Sequence, residues 1–150
     1  MSTKRLIPLV LAVLAAVALV ATGCGSSKKS ISKAEFLRKG NAICAQGNKE
    51  IQAEAQKRFP NQKGRPSNAQ LKSFATEVVI PSVEKQVSKL KDLGAPKGDK
   101  DKVNAIWAAA DEGIAKTKQD PLSVAVENGG PFAKANKLAN AYGLKVCGSS

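Results

Sequence analysis

ISKAEFLRKGNAICAQGNKEI, residues 31–51, contains both the start of a helix and the surface on which that helix packs. Ser32 is followed three residues later by Glu35, the spacing of a capping box, in which a hydroxyl and an acidic side chain satisfy backbone N–H groups at a helix start. Ile31, just before the cap, is placed as a hydrophobic staple. Phe36, Gly40, Ile43, Cys44, Gly47 and Ile51 then recur at helical periodicity within an arc of about 80–100°. Gly40 and Gly47 leave room for another helix to approach closely, each at a propensity cost of about 1 kcal/mol. Cys44 faces the core beside Ile43, and Pro60 limits the helix.

The rest of the chain follows the same grammar. Residues 60–67 (PNQKGRPS) form a loop by their Pro, Gly and Asn content. Ser67 and Gln70 repeat the capping-box spacing and open a second helix through about Leu93. Its apolar stripe runs Leu71, Phe74, Val78, then changes phase to Val83, Val87, Leu90. Pro81 lies between the two, and a proline inside a helix removes a hydrogen bond and kinks it; a full break is the alternative. Gly94 to Gly98 turn the chain. Asp99 is expected to cap a third helix with Val103, Ile106, Trp107, Ala110 and Ile114 on one face. Asp120-Pro121 has the cap and first-turn pattern of a fourth helical segment. Asn128-Gly129-Gly130-Pro131 interrupts it, Phe132 to Tyr142 resume it, and Gly143 stops it. No strand-like alternation of convincing length occurs. The expectation is an all-α domain over residues 31–150: a four-helix bundle with a kinked second helix and a broken fourth.

Upstream, Lys4 and Arg5 precede sixteen uninterrupted apolar residues, 6–21. A positive region followed by a short apolar run and small residues reads as a secretory signal. The run falls short of the roughly 20 residues that a spanning helix needs, which weighs against the alternative of a retained anchor. Ala21-Thr22-Gly23-Cys24 resembles the bacterial lipobox, with alanine where leucine is usual. That resemblance implies removal of residues 1–23 and lipidation of Cys24; an ordinary signal peptide is the alternative. Residues 24–30 (CGSSKKS) form a flexible polar tether of at most about 25 Å. More than one acyl chain makes a stable anchor. Lys28 and Lys29 would then lie near lipid headgroups.

The full chain carries 24 Lys and Arg against 12 Asp and Glu. Loss of residues 1–23 removes Lys4 and Arg5 and no acid, leaving a net charge of +10. Export makes nucleic acid an unsuitable partner for this charge; anionic lipids, cell-wall polymers or an envelope protein fit better. Lys57, Arg58, Lys63 and Arg65 are its densest group, a candidate polyanion contact or simply a solvated face.

Three cysteines leave an odd one in an exported chain. With Cys24 lipidated, Cys44 and Cys147 remain, and an oxidising compartment favours pairing them; buried free thiols are the alternative. Cys44 lies about 16 Å along the first helix. Cys147, four residues past Gly143, can travel back about 13 Å as an extended tail. In an antiparallel four-helix bundle the two thiols therefore meet. The chain has no histidine, and its only methionine is Met1. Haem and copper ligation by His or Met, histidine-dependent nucleophilic catalysis and His/Cys zinc sites are thereby excluded. No cofactor is expected.

Three stretches carry a family resemblance: ISKAEFLRKGNAICAQGNKEI, FATEVVIPSVEKQVSKLKDLGAPKGD and the terminal KLANAYGLKVCG. The chain resembles small lipoproteins of unknown function from high-GC Gram-positive bacteria. The resemblance implies a location on the outer face of the cell membrane and a disulfide-linked helical domain, but no activity.

Function is thus expected to be non-enzymatic: a lipid-anchored binding or interaction module. The alternative is a small-ligand carrier with an apolar pocket near Trp107 and Tyr142, which requires a cavity of roughly 300 Å³ or more. Asp99 with Asp101, or Asp111 with Glu112, could be nominated as catalytic carboxylates, but each pair also fits a helix start or a solvated face.

Overall fold

The computed structural model describes residues 30–60, 65–125 and 130–149. Cys24, the signal segment and Lys63 lie outside the described residues. Helix α1 spans Lys33–Arg58, and the Ser32 hydroxyl accepts the Glu35 N–H at 3.2 Å. The Glu35 carboxylate turns instead to Lys39, four residues on, at 2.7 Å. Phe36, Gly40, Cys44 and Gly47 are its buried residues. Both glycines are close approaches. A Cβ on Gly40 would stand 2.6 Å from a Leu144 methyl, and one on Gly47 would overlap the Gln86 side chain.

The second helix is continuous: α2, Asn68–Phe74, passes through a π turn, Ala75–Val79, into α3, Ile80–Asp92. Its start is a complete capping box between Ser67 and Gln70. Pro81 has no N–H to offer the preceding turn. The chain accommodates it by widening that turn, so that the Ile80 N–H donates to the Ala75 carbonyl five residues back. The kink expected at Pro81 is this π turn. The extra residue in the turn rotates the stripe: Ala75 and Ile80 are buried, whereas Leu71, Phe74 and Val78 are only half-buried.

Helix α4, Lys100–Gln119, buries Val103, Ile106, Trp107, Ala110 and Ile114 as its periodicity requires, together with Ala109, Gly113 and Thr117. Asp99 stands at its N-cap position and its carbonyl accepts the Val103 N–H, but its side chain makes no capping bond. That expectation is corrected: the carboxylate is drawn away by Tyr142. Short 3-10 turns, Pro121–Ala125 and Gly130–Phe132, precede α5, Ala133–Tyr142. The first is nucleated by Asp120, whose carboxylate accepts the Leu122 N–H at 3.1 Å. Gly143 ends α5 at φ +113°, and the Leu144 N–H returns to the Ala139 carbonyl at 2.9 Å. This Schellman arrangement reverses the chain and drives Leu144 into the core, fully buried.

The protein is therefore an all-α, four-helix bundle, with no strand among the described residues. Its apolar interior falls into two clusters. One gathers around Phe36, Val103, Trp107, Tyr142 and Leu144; the other joins Ile80, Val87, Ala109, Ala110, Ile114 and Ala135. Every member of both lies between Phe36 and Leu144, so this stretch carries its own core. None of the described helices is long and apolar enough to cross a membrane.

Candidate functional site: an apolar cavity walled by a disulfide-bound strap

Beyond Gly143 the chain runs back along α1 as a short strap. Cys147 and Cys44 form a disulfide with Cα atoms 5.1 Å apart, joining residues 103 apart in sequence. Side chains of α1 add to the seam. The Asn41 side-chain carbonyl accepts the Val146 N–H at 2.9 Å, and the Asn48 amide donates to the Val146 carbonyl at 3.5 Å. From α5, Asn140 donates to the Gly148 carbonyl at 2.6 Å. The pairing expected from cysteine arithmetic and helix direction is the one that forms.

The strap is one wall of a cavity of about 630 Å³ between the helices. The cavity is lined by members of both clusters, among them Leu90, Trp107 and Leu144 from the first and Val87, Ala110 and Ala135 from the second. Leu71, Phe74, Val79 and Val83 line it too, which is why these apolar residues remain half-buried: they face space instead of another helix. Phe132 and Pro131 complete that side, with Phe132 held against Gly113 of α4. A sealed, empty void of this size would cost roughly 15 kcal/mol at about 24 cal/mol per Å³. That equals the entire stability of a typical domain. The cavity is therefore open enough to be filled, and its volume is that of a small-molecule site.

Trp107 is both core anchor and cavity wall. It is 9% exposed and its ring centroid lies 6.2 Å from that of Phe36. Tyr142 does not line the cavity, contrary to expectation. Its ring packs edge-on against Phe36, and its hydroxyl donates to Asp99 at 2.9 Å. Burial, then the bond to Asp99, push the phenol up to about 12. The same bond holds the Asp99 carboxyl below its ordinary range, with Lys33 and Lys102 assisting. Lys33 also lies 4.6 Å over the Tyr142 ring. The start of α1, the cap of α4 and the end of α5 are joined here, away from the cavity.

The basic group is partly neutralised within the fold. Lys57 meets Glu54 at 2.6 Å, and Arg58 meets Glu77 at 2.8 Å. Arg65 is exposed. Of the nominated acids, Asp111 is engaged by Lys91 and Glu112 by Lys116 and Lys134. No group of three or more His, Cys, Asp or Glu among the described residues could hold a metal ion. No protein-family model, curated protein or solved structure matches this chain.

Proposed function

We propose that this protein is a lipid-anchored, extracytoplasmic binding protein that holds a small apolar ligand between its helices and carries out no chemistry on it. The observation behind the reading is the cavity of about 630 Å³, whose lining includes no Asp, Glu, Lys or Arg among the described residues. A bundle of this size gains nothing in stability from leaving such apolar surface uncovered. The anchored location rests on the apolar run 6–21, followed closely by Cys24, and on the Cys44–Cys147 disulfide, which suits an oxidising compartment. On α1 the cavity begins at Cys44, about 16 Å along the helix from its start.

The test uses the chain's single tryptophan. Trp107 fluorescence should change saturably when a neutral, environment-sensitive apolar dye is titrated into residues 25–150. A chain that neither binds the dye nor gains thermal stability from it refutes the carrier reading. Mass spectrometry of the membrane fraction tests the anchor; an unmodified Cys24 in the mature protein would rule it out.

A second reading rests on charge. A net +10 on residues 24–150 favours contact with anionic lipids or cell-wall polymers, with Lys57, Arg58, Lys63 and Arg65 as the candidate contact residues. Such contact should weaken with salt; equal binding to neutral vesicles would dismiss it.

A further inference from the structure

Resting on the reading of the cavity as a ligand site, we propose that its ligand is an uncharged single-chain amphiphile, held with its tail among the helices and its hydroxyl or carbonyl head group beside Asn48, Gln52 and Ser149. The cavity wall is polar on one side only. The part contributed by α2, the π turn, α3, α4 and the two 3-10 turns is apolar except for Gln86. The part contributed by α1, α5 and the strap holds Asn48, Gln52, Asn136 and Ser149. Three of these are demonstrably neighbours. Asn48 and Ser149 both donate to the Val146 carbonyl, at 3.5 and 2.9 Å, and Gln52 is one turn further along α1.

The chemistry of that side is specific. Amides both donate and accept, and a hydroxyl does the same, so together they match a neutral hydroxyl or ester. A carboxylate or ammonium placed there would find no counter-charge among the described lining residues, although charged residues make up 24% of the chain. Gln52 and Ser149 are exposed, which places the head group where the cavity meets water. Among the described residues the remaining walls are apolar apart from Gln86, which rewards an aliphatic tail and penalises a second polar end.

The experiment is dye displacement from residues 25–150, each competitor kept below its micelle concentration at physiological salt. The competitors are a medium-chain monoacylglycerol, the fatty acid and alkyltrimethylammonium of equal chain length, and the bare alkane. The monoacylglycerol should displace dye at concentrations at least about tenfold lower than either ion or the alkane, a margin expected from one or two matched hydrogen bonds. Gln52→Leu, at an exposed position, should shrink that margin, each variant being compared through its own dye affinity; Asn48→Leu provides a second variant. Equal displacement by the fatty acid or the cation overturns the uncharged head group, and equal displacement by the alkane overturns its placement. In both cases dye binding still stands, so the carrier reading survives. A chain that sediments as a dimer and excludes the dye overturns the proposal in favour of a second copy covering this face.

Discussion

The hydroxyl of Tyr142, the last residue of α5, donates to the carboxylate of Asp99, the residue before α4, across 43 positions of sequence. Lys33 from the first turn of α1 joins both, 3.6 Å from the carboxylate and above the phenol ring. One polar contact thus fixes three helices at the end of the bundle where α1 begins, while the disulfide fixes the strap further along α1. The cavity occupies the part of the bundle that these two fastenings leave open.

Tyr142 is the only tyrosine, so its ionisation can be read directly from tyrosinate absorbance. In the folded chain the rise should centre near pH 12 in place of the ordinary 10.0. Because the folded-state value is raised, the associated stability is complete below pH 10.0 and is lost as pH climbs towards 12. Two units correspond to about 2–3 kcal/mol. Asp99 behaves oppositely: its lowered value gives stability that is present above its unfolded value of 3.8 and lost as pH falls through the lower folded one. Tyr142→Phe should flatten the alkaline part of the profile. A midpoint near 10 in a chain still helical by circular dichroism would contradict this assignment.

Reduction should loosen both the fold and the cavity. The bridge closes a loop of 103 residues, for which the chain-entropy account gives up to about 4.7 kcal/mol. A loss approaching that would lower Tm by about 15 °C or more. Because the strap is a cavity wall, dye affinity should fall severalfold in Cys44→Ala/Cys147→Ala at a temperature where the variant remains folded. Unchanged dye affinity would show that the strap closes nothing.

The two close-approach glycines of α1 should respond differently to alanine. At Gly40 the new methyl meets Leu144, which is fully buried and cannot swing aside. Overpacking there costs about 1–3 kcal/mol, and the helix-propensity gain of about 1 kcal/mol only partly offsets it. At Gly47 the neighbour is Gln86, a half-buried, flexible side chain that can rotate away. Gly47→Ala should therefore be neutral or stabilising by up to about 1 kcal/mol. Chemical denaturation of both variants checks the contrast, and equal losses would refute it.

The helix starts at Ser32 and Ser67, the glycine approaches and the Cys44–Cys147 bridge were legible because each depends on local spacing or on simple topology. Asp99 holds the N-cap position that its spacing indicates, but its carboxylate bonds Tyr142, a partner brought to it only by tertiary packing. The π turn was legible as a kink but not in its phase, since one extra residue in a turn moves the buried set to Ala75 and Ile80. The cavity was expected only in outline, near Trp107. Periodicity marks Leu71, Phe74 and Val83 as residues that avoid water. It does not say whether a helix or an open space lies in front of them.

Filling that space provides the sharpest discrimination between a ligand site and loose packing. Ala110 on α4 lines the cavity and is 8% exposed, so Ala110→Leu would project three more carbons into it from a helical position that suits leucine. At about 0.8 kcal/mol per buried CH₂ the gain approaches about 2 kcal/mol, provided that nothing must be displaced. The ligand-free variant should therefore melt higher than the parent, by about 5 °C or more. Its dye affinity should fall by at least about tenfold, since tail and leucine compete for one volume. A site kept open for a ligand predicts both changes together: stability recovered where binding is lost. Lower stability would mean that the walls already touch at Ala110. Raised stability with unchanged dye binding would place the dye elsewhere on the bundle and remove the cavity from the function.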